Sequence, residues 1–340
     1  MGKNVAVVGV GAVGIEILKI LKERNFPADR IRVFARTKRE IKIGRDSYQV
    51  EAISDQNFDN INIAFFAGTE GAKGASVQYA HKFIEKGAVV IDNGKDFRLK
   101  PDVPLVVPEI NKSDIDKNKG LIANPNCTTI QMVVALGGVF KRFGLERIVM
   151  TSLQATSGGG RASAQSLWEE TKYIVDKNKD KKYFNQLDKD RNGTESSFTD
   201  QIAFNALPQI GSFNQDGFTS EEQKVVDESH KIYGDNKIKI SSTCVRVPVF
   251  TSHSESIYFK TVQPASLEEI RKVLVDSQGV NFSESNSQLP LALGAEGSDL
   301  VHLGRLRADS SEKNCFWIWA VADNLRKGAA LNAVQIAENL

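Results

Sequence analysis

The residue best suited to covalent chemistry is Cys127, in the stretch Asn124-Pro125-Asn126-Cys127-Thr128-Thr129. Turn-forming residues precede it and an apolar run, Ile130 to Phe140, follows. A helix should therefore start here, with Asn126 or a neighbouring threonine as its cap. Cys127 then falls in or beside the first turn, where unpaired N–H groups and the positive end of the helix dipole stabilise a thiolate. A lone cysteine is more often an ordinary buried thiol, so the reading depends on what the rest of the chain brings to it. Of four histidines, His81, His230 and His302 lie in helical or loop patterns with no chemistry nearby. His253, in Thr251-Ser252-His253-Ser254-Glu255, sits at a strand junction and completes a nucleophile–base pair with Cys127.

A second motif says what that pair would work with. Lys3–Val8 is a β-branched run that reads as a buried strand, and Ile17, Leu18, Ile20 and Leu21 recur at helical spacing after it. Between them lies Gly9-Val10-Gly11-Ala12-Val13-Gly14, a G-x-G-x-x-G in the strand–turn–helix context of dinucleotide binding. Gly9 permits the tight turn, Gly11 lets backbone approach a pyrophosphate, and Gly14 lets helix pack on strand; Ala12 and Val13 share the loop. The next strand, Ile31–Ala35, ends in Arg36-Thr37-Lys38-Arg39. An acidic residue there would suit a ribose 2′-hydroxyl; Arg36 and Thr37 suit a 2′-phosphate, so the expected cofactor is NADP rather than NAD. Beside a nicotinamide, the natural chemistry of a cysteine–histidine pair is hydride transfer to or from a thiol adduct. The expected class is an aldehyde dehydrogenase or acyl-phosphate reductase working through a thioester.

The elements that must position these groups alternate. Asn62–Ala67 reads as a strand, Val77–Lys86 as a helix and Ala88–Ile91 as a strand, with further strands at Val103–Val107 and Leu121–Ala123. This is the pattern of an open parallel sheet, whose ligands bind beyond the strand ends. Asp92-Asn93-Gly94-Lys95-Asp96-Phe97-Arg98 and Cys127 both leave strands in that direction. Arg147–Gln154 should be a strand, followed by Ala155-Thr156-Ser157-Gly158-Gly159-Gly160-Arg161, where backbone would lie close to a ligand and Ser157 and Gly158 are candidate cofactor contacts. Residues 172–200 read as a polar surface excursion. Within it Asp188–Gly193 imitates the start of a calcium loop, but the position needing a bidentate glutamate is Thr199, so no metal is expected. After the cap candidate Thr219 a helix carries Glu221 and Lys224 on one face. Strand-like Thr243–Val249 holds Arg246 among apolar residues, where a charge needs a structural or ligand partner.

Bulk properties exclude other classes. A chain of 340 residues suggests two domains, and 41% hydrophobic with 25% charged residues is ordinary globular composition. A net charge of +2 points to neither nucleic acid nor membrane. Cys127, Cys244 and Cys315 lie far apart with no C-x-x-C, which argues for a reducing compartment. Neither a signal peptide nor a membrane-spanning run is evident, so a cytoplasmic location is expected and the glycosylation patterns at Asn126 and Asn192 are irrelevant.

Taken together, VAVVGVGAVG, VVIDNGKDFR through PLVVPEIN, NPNCTT, LQATSGGGR, NALPQIGSF with the Glu221–Lys224 helix, TCVRVPV with HSE, and DNLRKGAALNAVQIAE make the chain resemble the aspartate-β-semialdehyde dehydrogenases over nearly its whole length. The resemblance implies NADPH-dependent reductive dephosphorylation of L-4-aspartyl phosphate to L-aspartate 4-semialdehyde, in the pathway serving lysine, threonine and methionine. It implies an α/β fold: a Rossmann-type domain over 1–130, an α+β catalytic and dimerisation domain over 131–322 of the glyceraldehyde-3-phosphate-dehydrogenase-like C-terminal type, and a C-terminal helix over 323–340 returning to pack on the first domain. It gives Cys127 the acyl thioester, His253 the acid/base role and Gln154 the orientation of the acyl group or a water. Arg246 would bind the substrate carboxylate, Glu221 its amine, and Lys224 and Arg98 phosphate, with Asn126 also at the substrate and Asn324 at the nicotinamide. A homodimer, possibly a tetramer, is implied, with neither nucleic acid nor membrane as partner. The glycine loop is one residue shorter than the family's, Ala67-Gly68-Thr69 lacks its serine, and Ser252 stands where glycine usually precedes the histidine. The alternatives are an N-acetyl-γ-glutamyl-phosphate reductase, whose cysteine usually sits in a P-G-C-Y context, and a non-catalytic dinucleotide-binding paralogue.

Overall fold

The computed structural model describes the chain apart from residues 1, 55–57, 69, 192–193 and 286. Thr69 of the loop after Phe66, and Asn192 and Gly193 of the glycosylation and calcium-loop patterns, lie outside the described residues. The first sheet contains β1 (Lys3–Val8), β2 (Ala28–Ala35), β3 (Arg39–Ile43), β4 (Asp46–Ala52), β5 (Ile63–Phe66), β6 (Val89–Asp92) and β7 (Leu121–Ala123). They run in the order β3-β4-β2-β1-β5-β6-β7. All pairings are parallel except the β3–β4 hairpin at one edge. The strand order reverses at β1, whose carboxyl end is therefore where a ligand of such a sheet sits.

Helices cover both faces because both are apolar. On one face α1 (Ala12–Glu23) buries Ile17, Leu18, Ile20 and Leu21 against the sheet together with the C-terminal α9 (Leu331–Glu338). On the other, Phe83 of α2 (Ala75–Glu85) stacks on Phe58 and meets Phe34 and Phe66 edge-on.

The second sheet is mixed: β8 (Leu145–Gln154), β9 (Lys239–Arg246), β10 (His253–Thr261), β11 (Val280–Phe282), β12 (Val301–Ala308) and β13 (Cys315–Ala322), in the order β11-β12-β13-β10-β8-β9. One face packs on α4 (Cys127–Phe143), α6 (Ser220–Tyr233) and α7 (Leu267–Val275) around the largest apolar core. Helix α4 is thus the element shared by the two sheets: it leaves β7 of the first and lies on the second. The remaining α-helices among the described residues are the short α3 (Pro108–Asn111) and α8 (Ala292–Ala295), and α5 (Arg161–Lys177).

Three expectations about elements are corrected. Val103–Val107 is no strand; Leu105 makes a single bridge to Ala123, because Pro104 and Pro108 remove the donors a ladder needs. The polar excursion starts later than residue 172, since α5 continues to Lys177. Buried Glu170 then pins the segment, accepting from Arg191 Nη1 at 2.8 Å and from the amides of Ile202 at 2.8 Å and Ala203 at 3.0 Å. The C-terminal stretch is not one helix: a π-turn, Arg326–Ala330, precedes α9, and Leu340 lies exposed beyond it.

Candidate active site

Asn126 does cap α4: its Oδ1 accepts from the amides of Thr128 at 3.0 Å and Thr129 at 3.4 Å. Such a cap contributes about 1 kcal/mol, and it makes Cys127 the first helical residue. The opposite wall comes from the second sheet. Gln154 pairs with Arg246 across β8–β9, and Ser254 pairs with Leu153 across β10–β8, which sets His253 beside Gln154. Paired residues point to the same face, so Arg246, Gln154 and His253 form one row under the start of α4. Gln154 Nε2 donates to Thr128 Oγ1 at 2.8 Å, locking row to helix.

The Sγ of Cys127 lies 3.4 Å from His253 Nε2. On the far side of the ring, the amide of Ala155 donates to Nδ1 at 3.1 Å. That bond claims the Nδ1 lone pair, so the neutral ring carries its proton on Nε2, facing the sulfur. Burial, reinforced by Arg246, holds His253 down at about 3, so the ring is neutral at physiological pH. Burial and the nearby Glu221 carboxylate push the Cys127 thiol up to about 11. The thiolate expected from the helix terminus is therefore not favoured: loss of hydration and Glu221 outweigh Arg246, the Thr128 hydrogen bond and Arg98 together.

Glu221 is the hub of the polar wall. Its Oε1 accepts from Asn126 Nδ2 at 3.0 Å and Gln154 Nε2 at 3.3 Å, and its Oε2 from Lys224 Nζ at 3.1 Å. Burial pushes Glu221 up, but Lys224, Asn126 and Gln154 bring it below the usual carboxylate value, so it is ionised. Arg246 is buried, with Nη1 on the carbonyl of Ala155 at 2.7 Å. Arg98 is buried as well, its Nε donating to the carbonyl of Asn124 at 2.9 Å, Nη1 to Glu228 at 2.9 Å and Nη2 to the carbonyl of Asn93 at 2.8 Å.

A cavity of about 570 Å³ joins these groups. Cys127, Asn126, Gln154, Arg98, Glu221, Lys224 and Arg246 line it together with Ala12, Val13, Ser157, Gly158 and Asn324. His253 is fully buried behind them. A Cβ on Gly158 would stand 2.9 Å from Arg246 Nη1 and 3.1 Å from His253 Cε1, so a side chain there would press on both. Asn324 exchanges hydrogen bonds with Ser157 at 3.0–3.1 Å and accepts from the Ser252 amide at 2.9 Å. Arg36 and Thr37 stand apart, exposed after β2 and outside the cavity lining.

The glycine loop fits a dinucleotide. Gly9 has φ +105° and would drive a Cβ to 2.5 Å from the carbonyl oxygen of Ala67, and a Cβ on Gly14 would reach 2.0 Å from that of Gly9. Nothing lies within 4 Å of a Cβ on Gly11, the cap of α1, and no side chain caps that helix. Its first amides are thus open to an anion. Among the described residues no group of three or more His, Cys, Asp or Glu side chains could hold a metal.

Comparison with known proteins agrees with this architecture. Residues 4–118 match the semialdehyde dehydrogenase NAD-binding domain, and residues 136–327 the semialdehyde dehydrogenase dimerisation domain. Aspartate-semialdehyde dehydrogenase of Aquifex aeolicus is 45% identical, over 100% of this chain and 98% of its own. The chain belongs to the aspartate-semialdehyde dehydrogenase family. The Bacillus subtilis aspartate-semialdehyde dehydrogenase is 38% identical over 100% of this chain and 97% of its own. The crystal structure of aspartate semialdehyde dehydrogenase II from Vibrio cholerae, complexed with ASA, superposes with a TM-score of 0.90 at 38% identity, covering 100% of this chain and 98% of that one. This family member also has features that residue patterns did not reveal. Glu228 completes an E-x-x-K-x-x-x-E stripe on α6 that reads from sequence as a solvated face. Gly328, in the π-turn, packs its backbone on Cys127. The Ala155 amide is a main-chain group with no side-chain signature.

Proposed function

We propose that the protein catalyses NADPH-dependent reductive dephosphorylation of L-4-aspartyl phosphate to L-aspartate 4-semialdehyde, reversibly, through a Cys127 acyl-thioester. The observation that carries this reading is the 3.4 Å contact of Cys127 with His253 inside a cavity that also meets the glycine loop. Arg246 offers a fork for the substrate carboxylate, Glu221 an ionised partner for its ammonium, and Lys224 with Arg98 a site for phosphate. Sγ attacks the acyl carbon, the C–S bond forms and the C–O bond to phosphate breaks, the thiol proton leaving with phosphate. When bound, the nicotinamide cofactor supplies the hydride that reduces the thioester. The resulting alkoxide collapses to aldehyde, breaking the C–S bond, and the thiolate takes up a proton. With Nε2 protonated, His253 does not take the thiol proton as the base expected from sequence; in both tetrahedral adducts its Nε2–H faces the reacting centre and acts as the acid of that acid/base role, donating to the developing oxyanion. Gln154, tethered by Thr128, orients the acyl group.

Gly9, Gly11, Ala12, Val13 and Gly14 would hold the pyrophosphate, Ser157, Gly158 and Asn324 the nicotinamide end, and Arg36 and Thr37 a 2′-phosphate. The match to a dimerisation domain supports a homodimer. No helix among the described residues is long and apolar enough to cross a membrane, which fits a cytoplasmic enzyme with reduced thiols.

The test is phosphate-dependent reduction of NADP by purified protein given L-aspartate semialdehyde, with NAD, Cys127→Ala and Arg36→Glu as comparisons. Turnover should require phosphate and Cys127, and Arg36→Glu should weaken NADP more than NAD. Turnover surviving Cys127→Ala would remove the thioester, and none with bound NADP would shift the substrate to the longer glutamyl compound.

A further inference from the structure

Helix α6 carries a polar stripe, Glu221, Lys224, Glu228 and Lys231, that faces the seam between the two sheets rather than solvent. Lys231 Nζ donates to the carbonyls of Arg98, Lys100 and Val103, each at 2.7 Å. Glu228, 1% exposed, is the deepest member. Its Oε1 accepts from Arg98 Nη1 at 2.9 Å, and its Oε2 accepts from the backbone amide of Asn126 at 2.6 Å. That amide belongs to the cap residue of α4, immediately ahead of Cys127. Without Glu228 it would be a buried donor lacking a partner.

Arg98 has five N–H groups. Two are spent on the carbonyls of Asn93 and Asn124 and one on Glu228, leaving two for an oxyanion in the cavity. Lys224 lies one turn earlier on the same helix face. One carboxylate therefore touches both the proposed phosphate subsite and the turn that carries the nucleophile. We propose that Glu228 is a positioning residue of the reaction, holding Arg98 for phosphate and the Asn126 amide for Cys127 as one rigid piece. This rests on the reading above that Arg98 and Lys224 receive phosphate.

Two effects of removing the carboxylate have opposite signs. If Glu228 merely subtracts charge from the subsite, its neutralisation should tighten phosphate binding. If it positions Arg98, neutralisation should loosen it. Glu228→Gln separates the two arms, because its amide oxygen can still accept from Asn126 while its NH2 group confronts Arg98. In the oxidative direction Glu228→Gln should raise the KM for phosphate about tenfold, leaving the KM for L-aspartate semialdehyde and the iodoacetamide alkylation rate of Cys127 within about twofold. Glu228→Asp, too short to span both partners, should raise the phosphate KM and also shift the alkylation rate. A fall in phosphate KM, no change, or an equal rise in both KM values in the Gln variant would overturn the proposal; should that variant not fold, an unchanged phosphate KM in Glu228→Asp would do so. Arg98→Lys guards the premise. If it leaves the phosphate KM unchanged, the phosphate assignment fails; if it raises that KM and Glu228→Gln does not, only the positioning role fails.

Discussion

Replacing one hydrogen by a methyl group at Gly328 tests whether the nucleophile is placed as tightly as the packing implies. A Cβ there would stand 2.9 Å from the Cβ of Cys127, 3.4 Å from its Cα and 3.5 Å from its carbonyl oxygen. Ordinary carbon–carbon contact is about 3.5–4.0 Å, so one partner must retreat by about 0.5–1 Å. Gly328 is not in the left-handed region, which makes Gly328→Ala a steric change rather than a backbone one. The π-turn cannot yield easily, because its neighbours Arg326 and Lys327 are tied down: Arg326 to Glu16, Glu23 and Asp299, and fully buried Lys327 to both oxygens of Glu109 at 2.8 Å. Cys127 should therefore move, carrying Sγ off its 3.4 Å approach to His253. Displacement of a reacting atom by about 1 Å costs roughly a hundredfold in rate, and overpacking costs about 1–3 kcal/mol in stability. Steady-state kinetics should show kcat down by about 10–100-fold with the KM for NADPH near that of the unaltered enzyme, alongside a modest loss in denaturant midpoint. A kcat within about threefold of the parent would mean that the turn gives way instead, and would refute the placement argument.

Arg246→Lys should mainly raise the KM for L-aspartate semialdehyde, since a planar fork is replaced by a point charge where a carboxylate takes two hydrogen bonds; an unchanged KM would detach Arg246 from the carboxylate. Asp92, buried at the end of β6, is pushed by burial from its ordinary 3.8 to about 6, which corresponds to about 3 kcal/mol. Because the folded protein keeps this proton after the unfolded chain has lost it, the contribution is fully present below about pH 4 and is lost as pH rises through about 6. Asp92→Asn should therefore gain stability relative to the parent between pH 4 and 7 in urea titrations, and parallel curves would show that Asp92 ionises normally.

The residues proposed to meet a ligand were legible in the sequence because each carries chemistry in its type: Cys127, His253, Glu221, Lys224, Arg246 and the glycines of the first loop. The fold followed where one pattern dominated, as in Lys3–Val8 with the helix behind it. It failed where a local feature competed with periodicity. The prolines at 104 and 108 turned an apolar run into an edge segment, and Ile41, Ile43, Tyr48 and Val50 alternate through the unnoticed β3–β4 hairpin. The charge state of the nucleophile was not legible at all. A helix terminus can be seen in sequence; the burial that raises the thiol, and Glu221, far away in the chain, that raises it further, cannot.

That charge state bears on how the two domains cooperate. Apart from the Thr128 hydroxyl on α4 itself, the groups that bias Cys127 arrive from other elements: Glu221 from α6, Arg246 from β9, Arg98 from the loop after β6. Glu221 opposes ionisation and the two arginines favour it. A substrate ammonium on Glu221 would cancel the opposing charge, whereas a carboxylate on Arg246 would cancel a favouring one. The nucleophile is then set by the balance of ligand charges, and this requires that α6, the Asn126 turn and the π-turn keep fixed separations. Two buried ion pairs, Arg98–Glu228 and Lys327–Glu109, hold them. Breaking such a pair by removing one partner typically costs about 3–5 kcal/mol, more than a surface contact could supply. Burying both pairs at the seam makes the geometry of the site inseparable from the docking of the two sheets around α4.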